Sequence, residues 1–291
     1  MKNKKMKGSD EVFTQSGIVK FILDEVQFNS CDDLRDIALL EPSAGEGSFV
    51  IEILRRLFLS SKKYNFDFIG AINTNLRFVE LNIENYETLK DAISSELECL
   101  GFSYKDISSE VVSNEDFLLI DSSLNFDCIV GNPPYIRHES IDEMSKIAYK
   151  NSFKLFKYRA DLYIVFYEKS LSLLKDNGRL SFICSNRWLY NQYGQPLRKL
   201  IAEHYYISKI INMEKADVFD GKVNAYPCIT TILNTKGEVT SYYETLEKTI
   251  DINNIVMDLR RTPVCDSWQN LFLKYDINNV YLQGIVEQGF E

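Results

Sequence analysis

The sequence predicts an α/β protein built on a doubly wound, mostly parallel sheet with an antiparallel pair of strands at one edge. Two observations carry that expectation. Short apolar runs alternate with longer stretches of helical spacing, the pattern of a parallel sheet covered by helices. Several of these runs end in small or polar residues, as strands do where an open α/β sheet meets its ligand. Ser16 to Gln27 places Ile18, Val19, Ile22, Leu23 and Val26 on one helical face. Ile37 to Leu40 is the first strand, followed by a small-residue loop and a helix over Val50 to Leu59. Leu76 to Leu81 is the second, followed by a helix through about Leu100. Val111-Val112 opens a third strand that ends near Asp116, and Asp127 to Val130 is the fourth. Asp161 to Leu174 is an amphipathic helix that Asp176-Asn177-Gly178 would close as a turn. Arg179 to Cys184 is the fifth strand, Pro196 to Glu203 a helix, and Ile207 to Asn212 and Ala225 to Leu233 the edge pair. Residues 1–235 read as one unit. Beyond them the pattern weakens, and 236–291 read as a linker or the start of a further domain absent from this chain.

Composition bounds the function. The 291 residues are 45% hydrophobic and 26% charged, an ordinary globular balance. No apolar run approaches the roughly 20 residues of a membrane span, and no apolar segment follows the Lys-rich amino terminus. Six cysteines lie far apart without a Cys-x-x-Cys pair, which argues against zinc and disulfides and fits a reducing cytoplasm. Two histidines, His138 and His204, leave little for a metal site or a Ser-His-Asp triad. A net charge of −9 does not advertise a nucleic-acid binder. Yet Lys146 to Arg159 holds five basic residues and no acidic one. Lys146, Lys150, Lys154 and Lys157 recur at about helical spacing, flanked by Tyr149, Phe153 and Phe156. They could track a nucleic-acid backbone or form a solvated helix face.

The most informative stretch is Asn132-Pro133-Pro134-Tyr135, directly after the fourth strand. Paired prolines fix the backbone and donate no N–H, leaving carbonyls as acceptors. Asn132 adds a side-chain carbonyl and Tyr135 a flat ring. Together they can hold a planar NH2 group, with two acceptors for its hydrogens and a face to stack on.

Glu41-Pro42-Ser43-Ala44-Gly45-Glu46-Gly47-Ser48-Phe49 follows the first strand. A third glycine is missing, so a pyrophosphate at the helix start is disfavoured. Carboxylates at Glu41 and Glu46 would repel phosphate and suit an amine or a sulfonium. Glu80 ends the second strand, where a carboxylate can bind ribose hydroxyls; a surface Glu is the alternative. Asp116-Phe117 ends the third and could meet an adenine edge and face, or Phe117 could be core.

These residues together resemble the DNA methyltransferases that modify adenine at N6, in the class whose cofactor loop precedes the tetrapeptide. The resemblance spans about residues 9–235. It implies S-adenosylmethionine as cofactor, held by Glu41, Ser43, Ala44, Gly45, Gly47, Glu80, Asp116, Phe117 and Asn132. Thr14, in Ser9 to Gln15, is similar to the amino-terminal cofactor motif, although Gln15 stands where a proline is usual. Asn82 replaces a frequent Asp, which leaves the ribose to Glu80. Asn132, Pro133 and Tyr135 correspond to the catalytic tetrapeptide. Phe219, in Ala216-Asp217-Val218-Phe219, corresponds to the aromatic that stacks on the extruded base with Tyr135; it could also anchor a loop. No metal is implied. The implied partner is double-stranded DNA, through a target-recognition domain not complete here, with a cognate restriction endonuclease as an optional companion. A protein-glutamine methyltransferase, which would use the same tetrapeptide, and a catalytically silent DNA-binding subunit are the rival readings.

Overall fold

The computed structural model describes residues 14–121, 123–157, 159–214, 226–237, 239–244 and 260–263. Helix α1 (Ser16–Glu25) leads to β1 (Leu39–Glu41), α2 (Ser48–Tyr64), α3 (Phe68–Asn75), β2 (Leu76–Val79), α4 (Ile83–Cys99) and β3 (Val112–Ser113). Then come β4 (Phe126–Gly131), α5 (Glu143–Ser152), α6 (Leu162–Ser172), β5 (Leu174–Ser185), α7 (Gln195–His204), β6 (Tyr206–Asn212) and β7 (Pro227–Leu233). Strands β8 (Val239–Glu244) and β9 (Arg260–Pro263) follow.

All these strands join one sheet in the order β3-β2-β1-β4-β5-β7-β6-β8-β9. β1 pairs in parallel with β2 on one side and β4 on the other. The chain therefore reverses its direction of travel across the sheet between β1 and β4. A crevice opens outside the strand ends at such a point, and ligands of open α/β sheets bind there.

Strand residues alternate between two cores. Leu39, Phe78, Cys128, Val130 and Ile183 face the core under α1 to α4. Leu40, Val79, Ile129, Phe182 and Cys184 face the core under α6 and α7. Burial on both faces is why these strands read as near-continuous apolar runs.

The expected antiparallel partners do pair, but not at the edge. β7 lies between β5 and β6 and is antiparallel to both. β8 then adds in parallel beside β6, and β9 pairs antiparallel with β8. Two strands of the 236–291 stretch thus continue the same sheet.

Three local expectations are corrected. Helix α3 was not anticipated, although Phe68, Ala71 and Ile72 are buried at helical spacing. Asn177-Gly178 does not close α6, which ends at Ser172. Instead β5 starts at Leu174 beside Phe126 and bulges before re-pairing at Arg179 with Cys128. Asn177, at φ 64, and Gly178 bridge to Asn234 there, with both backbone bonds 2.9 Å long. Third, the lysine row is not one helical face. α5 ends at Ser152, so Lys154 and Lys157 lie beyond it. Lys146 is buried and paired to Glu143 at 2.7 Å, whereas Lys150, Lys154 and Lys157 are exposed.

A buried guanidinium ties α1 to α2. Arg56 bonds Asp24 at 2.6 Å, Glu52 at 3.1 Å, and the carbonyls of Phe28 and Lys20 at 3.1 and 3.0 Å. Arg56→Ala strands those acceptors. It should lower the unfolding free energy by about 2–4 kcal/mol in urea denaturation.

Candidate active site at the β1/β4 crevice

Two loops meet at the switch point. The loop after β1 is held to the end of β2, because Ala44 N–H donates to the Val79 carbonyl at 2.9 Å. Its turn closes with Gly47 N–H on the Ala44 carbonyl, also 2.9 Å. Gly47 then starts α2 at φ 99, a conformation glycine adopts without strain. Ser43 Oγ donates to the backbone carbonyl of Asn132 at 3.2 Å, which joins this loop to the tetrapeptide. Gly131, at φ 150, precedes Asn132. A side chain there would come within 3.6 Å of Glu41 Cγ and Pro42 Cδ.

Glu80 organises the loop from the neighbouring strand end. One carboxylate oxygen accepts the Gly45 N–H at 2.7 Å and the other accepts the Asn82 N–H at 2.8 Å. Asn82 itself caps α4, accepting from the N–H groups of Glu84 and Asn85 at 2.8 and 3.3 Å. That is a structural use for the residue that stands where an Asp is frequent.

Glu41 is 1% exposed, and its Oε2 has no hydrogen-bond partner among the described residues. Burial, reinforced by the charge of Glu80, holds its carboxyl well above the ordinary range. Above Gly45 the space is open: among the described residues other than its chain neighbours, no atom lies within 4 Å of where a side chain would begin. Glu46, by contrast, is exposed.

Asn132 Nδ2 donates to Thr14 Oγ1 at 3.4 Å, and Thr14 is 7% exposed. The amino-terminal segment and the tetrapeptide, 118 residues apart in sequence, thus meet. Tyr135 donates its hydroxyl to the Ile183 carbonyl at 3.3 Å, and burial holds that phenol well above its ordinary range. The hydroxyl is therefore committed as a donor, while the residue as a whole is only partly buried between the two cores. What Tyr135 offers a ligand is its face.

The third strand end is arranged differently from the other two. Asp116 accepts from Tyr149 hydroxyl at 2.6 Å and from Leu118 N–H at 2.9 Å. Phe117 is 4% exposed, with Phe166 at 5.4 Å and the Lys169 ammonium 5.0 Å from its ring. Phe219 lies outside the described residues.

Sequence reasoning missed a polar group beyond β5. Asn186, 1% exposed, donates to Asn212 at 3.1 Å and to Glu214 at 3.4 Å, and accepts from Tyr190 at 3.0 Å. The rule that selected Glu41 and Glu80, a polar residue closing an apolar strand, would have selected Asn186 and Asn212 as well.

A family model described as Eco57I restriction-modification methylase matches residues 48–219. The chain belongs to that family. Type II methyltransferase M.XhoI of Xanthomonas vasicola is 36% identical over 231 residues, covering 77% of this chain and 42% of that protein. M.PaeR7I of Pseudomonas aeruginosa is 36% identical over 234 residues, covering 79% and 41%. The chain thus spans about two fifths of the length of these relatives. Among solved structures, a nuclease-deletion mutant of the Type ISP restriction-modification enzyme LlaGI, in complex with a DNA substrate mimic, superposes with a TM-score of 0.69. That match has 16% identity over 92% of this chain and 27% of LlaGI. A type I restriction-modification methyltransferase subunit from Streptococcus thermophilus superposes at 0.62, with 18% identity over 87% and 53%. These likenesses establish the methyltransferase sheet. In Eco57I-family terms, the matched region runs from the start of α2 through the tetrapeptide to the segment holding Phe219.

Proposed function

We propose that this chain is the catalytic unit of a site-specific DNA methyltransferase of a restriction-modification system. In this reading it methylates the N6 amino group of adenine in duplex DNA, with S-adenosylmethionine as cofactor. The observation that carries the proposal is the bond between Ser43 and the Asn132 backbone at the β1/β4 crevice. It sets a cation-demanding loop beside a site built for a planar amino group.

The cofactor supplies a methyl group on a cationic sulfur. Glu41 and Glu80 fit such a group, since both are buried acidic side chains at the ends of adjoining strands. The open space at Gly45 fits its approach. On the other side, the Asn132 side-chain oxygen and the Pro133 carbonyl accept the two amino hydrogens. That draws the nitrogen lone pair out of the ring and aims it at the methyl carbon. Catalysis is then positioning and electrostatics, without a covalent enzyme intermediate. The base has to leave the duplex to reach the crevice. Tyr135 stacks on one face of it and Phe219 on the other.

Residues 1–235 are the catalytic unit in this reading, and 236–291 lead from it toward target recognition. The exposed Lys150, Lys154 and Lys157 are candidates for the DNA backbone. A cognate endonuclease in the same cytoplasm completes the system. Methyl-tritiated cofactor offered together with duplex DNA and a protein extract tests the substrate class. Label in DNA is expected, and label in protein alone would replace this reading with an amide methyltransferase.

A pH dependence follows from Glu41. Burial, with Glu80 beside it, raises its pKa and so favours the protonated form. A bound cation favours the ionised form, so binding releases a proton. Affinity should therefore rise with pH up to the raised pKa of Glu41 and level off above it. Calorimetry in buffers of different ionisation enthalpy should register the released proton.

A further inference from the structure

Asp116 and Phe117 lie just past β3 and are held from three directions. The strand exits are tied to each other: Asn114 Nδ2 donates to the carbonyls of Glu80 and Leu81 at 2.8 and 3.0 Å, so the ends of β2 and β3 lie side by side. Both oxygens of the Asp116 carboxylate are engaged. Oδ1 accepts the Leu118 N–H at 2.9 Å, a local turn, and Oδ2 accepts the Tyr149 hydroxyl at 2.6 Å from α5, 33 residues along the chain. A phenol on a carboxylate at that distance makes a short, charge-assisted bond. Tyr149 is 4% exposed and packs edge-on against Phe156, with ring centroids 5.8 Å apart. Burial and the Asp116 bond hold its phenol above the ordinary range, so it stays a donor at neutral pH. From α6, Lys169 donates to the carbonyls of Phe117, at 2.5 Å, and of Ile120. Its ammonium also stands 5.0 Å from the Phe117 ring.

Two donors thus fix the Asp116 carboxylate without exhausting it, since each of its oxygens can accept twice. The residue is only partly buried, so that remaining capacity is open to a ligand. We infer that Tyr149 and Lys169 are positioning residues that make the crevice selective for a 6-amino purine. Tyr149 fixes the acceptor for the amino group, and Lys169 fixes the backbone that carries it. A purine whose ribose lies at Glu80 then meets a carboxylate already oriented on the adjoining strand end. That carboxylate accepts from an amino group and is left unpaired against a bare ring hydrogen. This selectivity rests on the cofactor reading proposed above, with Asp116 as the acceptor.

Calorimetry on the intact enzyme with S-adenosylhomocysteine and its 6-deamino analogue, in which hydrogen replaces the amino group, tests it. The unsubstituted enzyme should prefer the amino compound about 100-fold. Tyr149→Phe keeps the ring and its packing and removes only the donor. It should weaken binding of the amino compound about 10-fold and leave the deamino analogue within about twofold, so the preference shrinks about 10-fold. A purely structural role would lower both affinities alike. That result, or an unchanged preference, overturns the assignment. If Tyr149→Phe does not fold, Lys169→Met decides: the preference should shrink about threefold or more, and an unchanged one overturns the inference. Equal binding of the two compounds by the unsubstituted enzyme also overturns it while leaving the cofactor reading in place. If neither compound binds, the cofactor reading itself fails and takes the selectivity with it.

Discussion

Asn132→Ala should abolish methyl transfer to DNA while the protein still folds and binds cofactor. The loss in single-turnover rate is expected to be on the order of 10³-fold, the scale for removing one preorganised polar contact to a reacting group. The expectation is sharp because Asn132 makes two separable contributions. Its backbone carbonyl accepts from Ser43 and joins the two loops, and alanine keeps that carbonyl. Its side chain meets Thr14 and, in the proposed reaction, supplies the acceptor for the target amino group, and alanine removes both. Cofactor affinity, read by calorimetry, should therefore change little. Near-wild-type transfer by the variant would remove Asn132 from the chemistry.

Glu80→Ala should have the opposite profile, weakening cofactor binding about 100-fold or more. The carboxylate accepts the N–H of Gly45 in the loop and the N–H of Asn82 at the start of α4. Without it both donors lose their acceptor, and the crevice loses one of its two buried acidic groups. Glu80→Gln should be intermediate, since it keeps an acceptor oxygen but no charge. It also has a diagnostic consequence. Part of the raised pKa of Glu41 comes from Glu80. Neutralising Glu80 lowers that pKa, so the rise of cofactor affinity with pH should move to lower pH. A midpoint that stays put would show that the two carboxyls do not share the site.

The strand ends were the most legible part of the chain. Runs such as Asp127 to Val130 are apolar on both faces because two cores flank the sheet, and such runs stand out. The loop at 41–49 and the tetrapeptide were legible because glycines and prolines there carry backbone constraints that few other positions share. Helix α3 escaped notice because it runs straight into β2 with no glycine or proline between them. Asn177-Gly178 looked like a helix terminator because the left-handed conformation serves a strand bulge equally well. The lysine row looked helical because its spacing persists past Ser152, although the chain turns there. Nor could periodicity place β7 between β5 and β6, since strand order is decided by tertiary pairing.

The central claim is that the crevice between β1 and β4 aims a methyl group at the amino nitrogen of adenine. Digesting DNA treated with the intact enzyme and S-adenosylmethionine to nucleosides, followed by mass spectrometry, tests it most directly. The account predicts N6-methyldeoxyadenosine in treated DNA and none with Asn132→Ala. Methylated cytosine in place of methylated adenine, or no modified nucleoside at all, would contradict it.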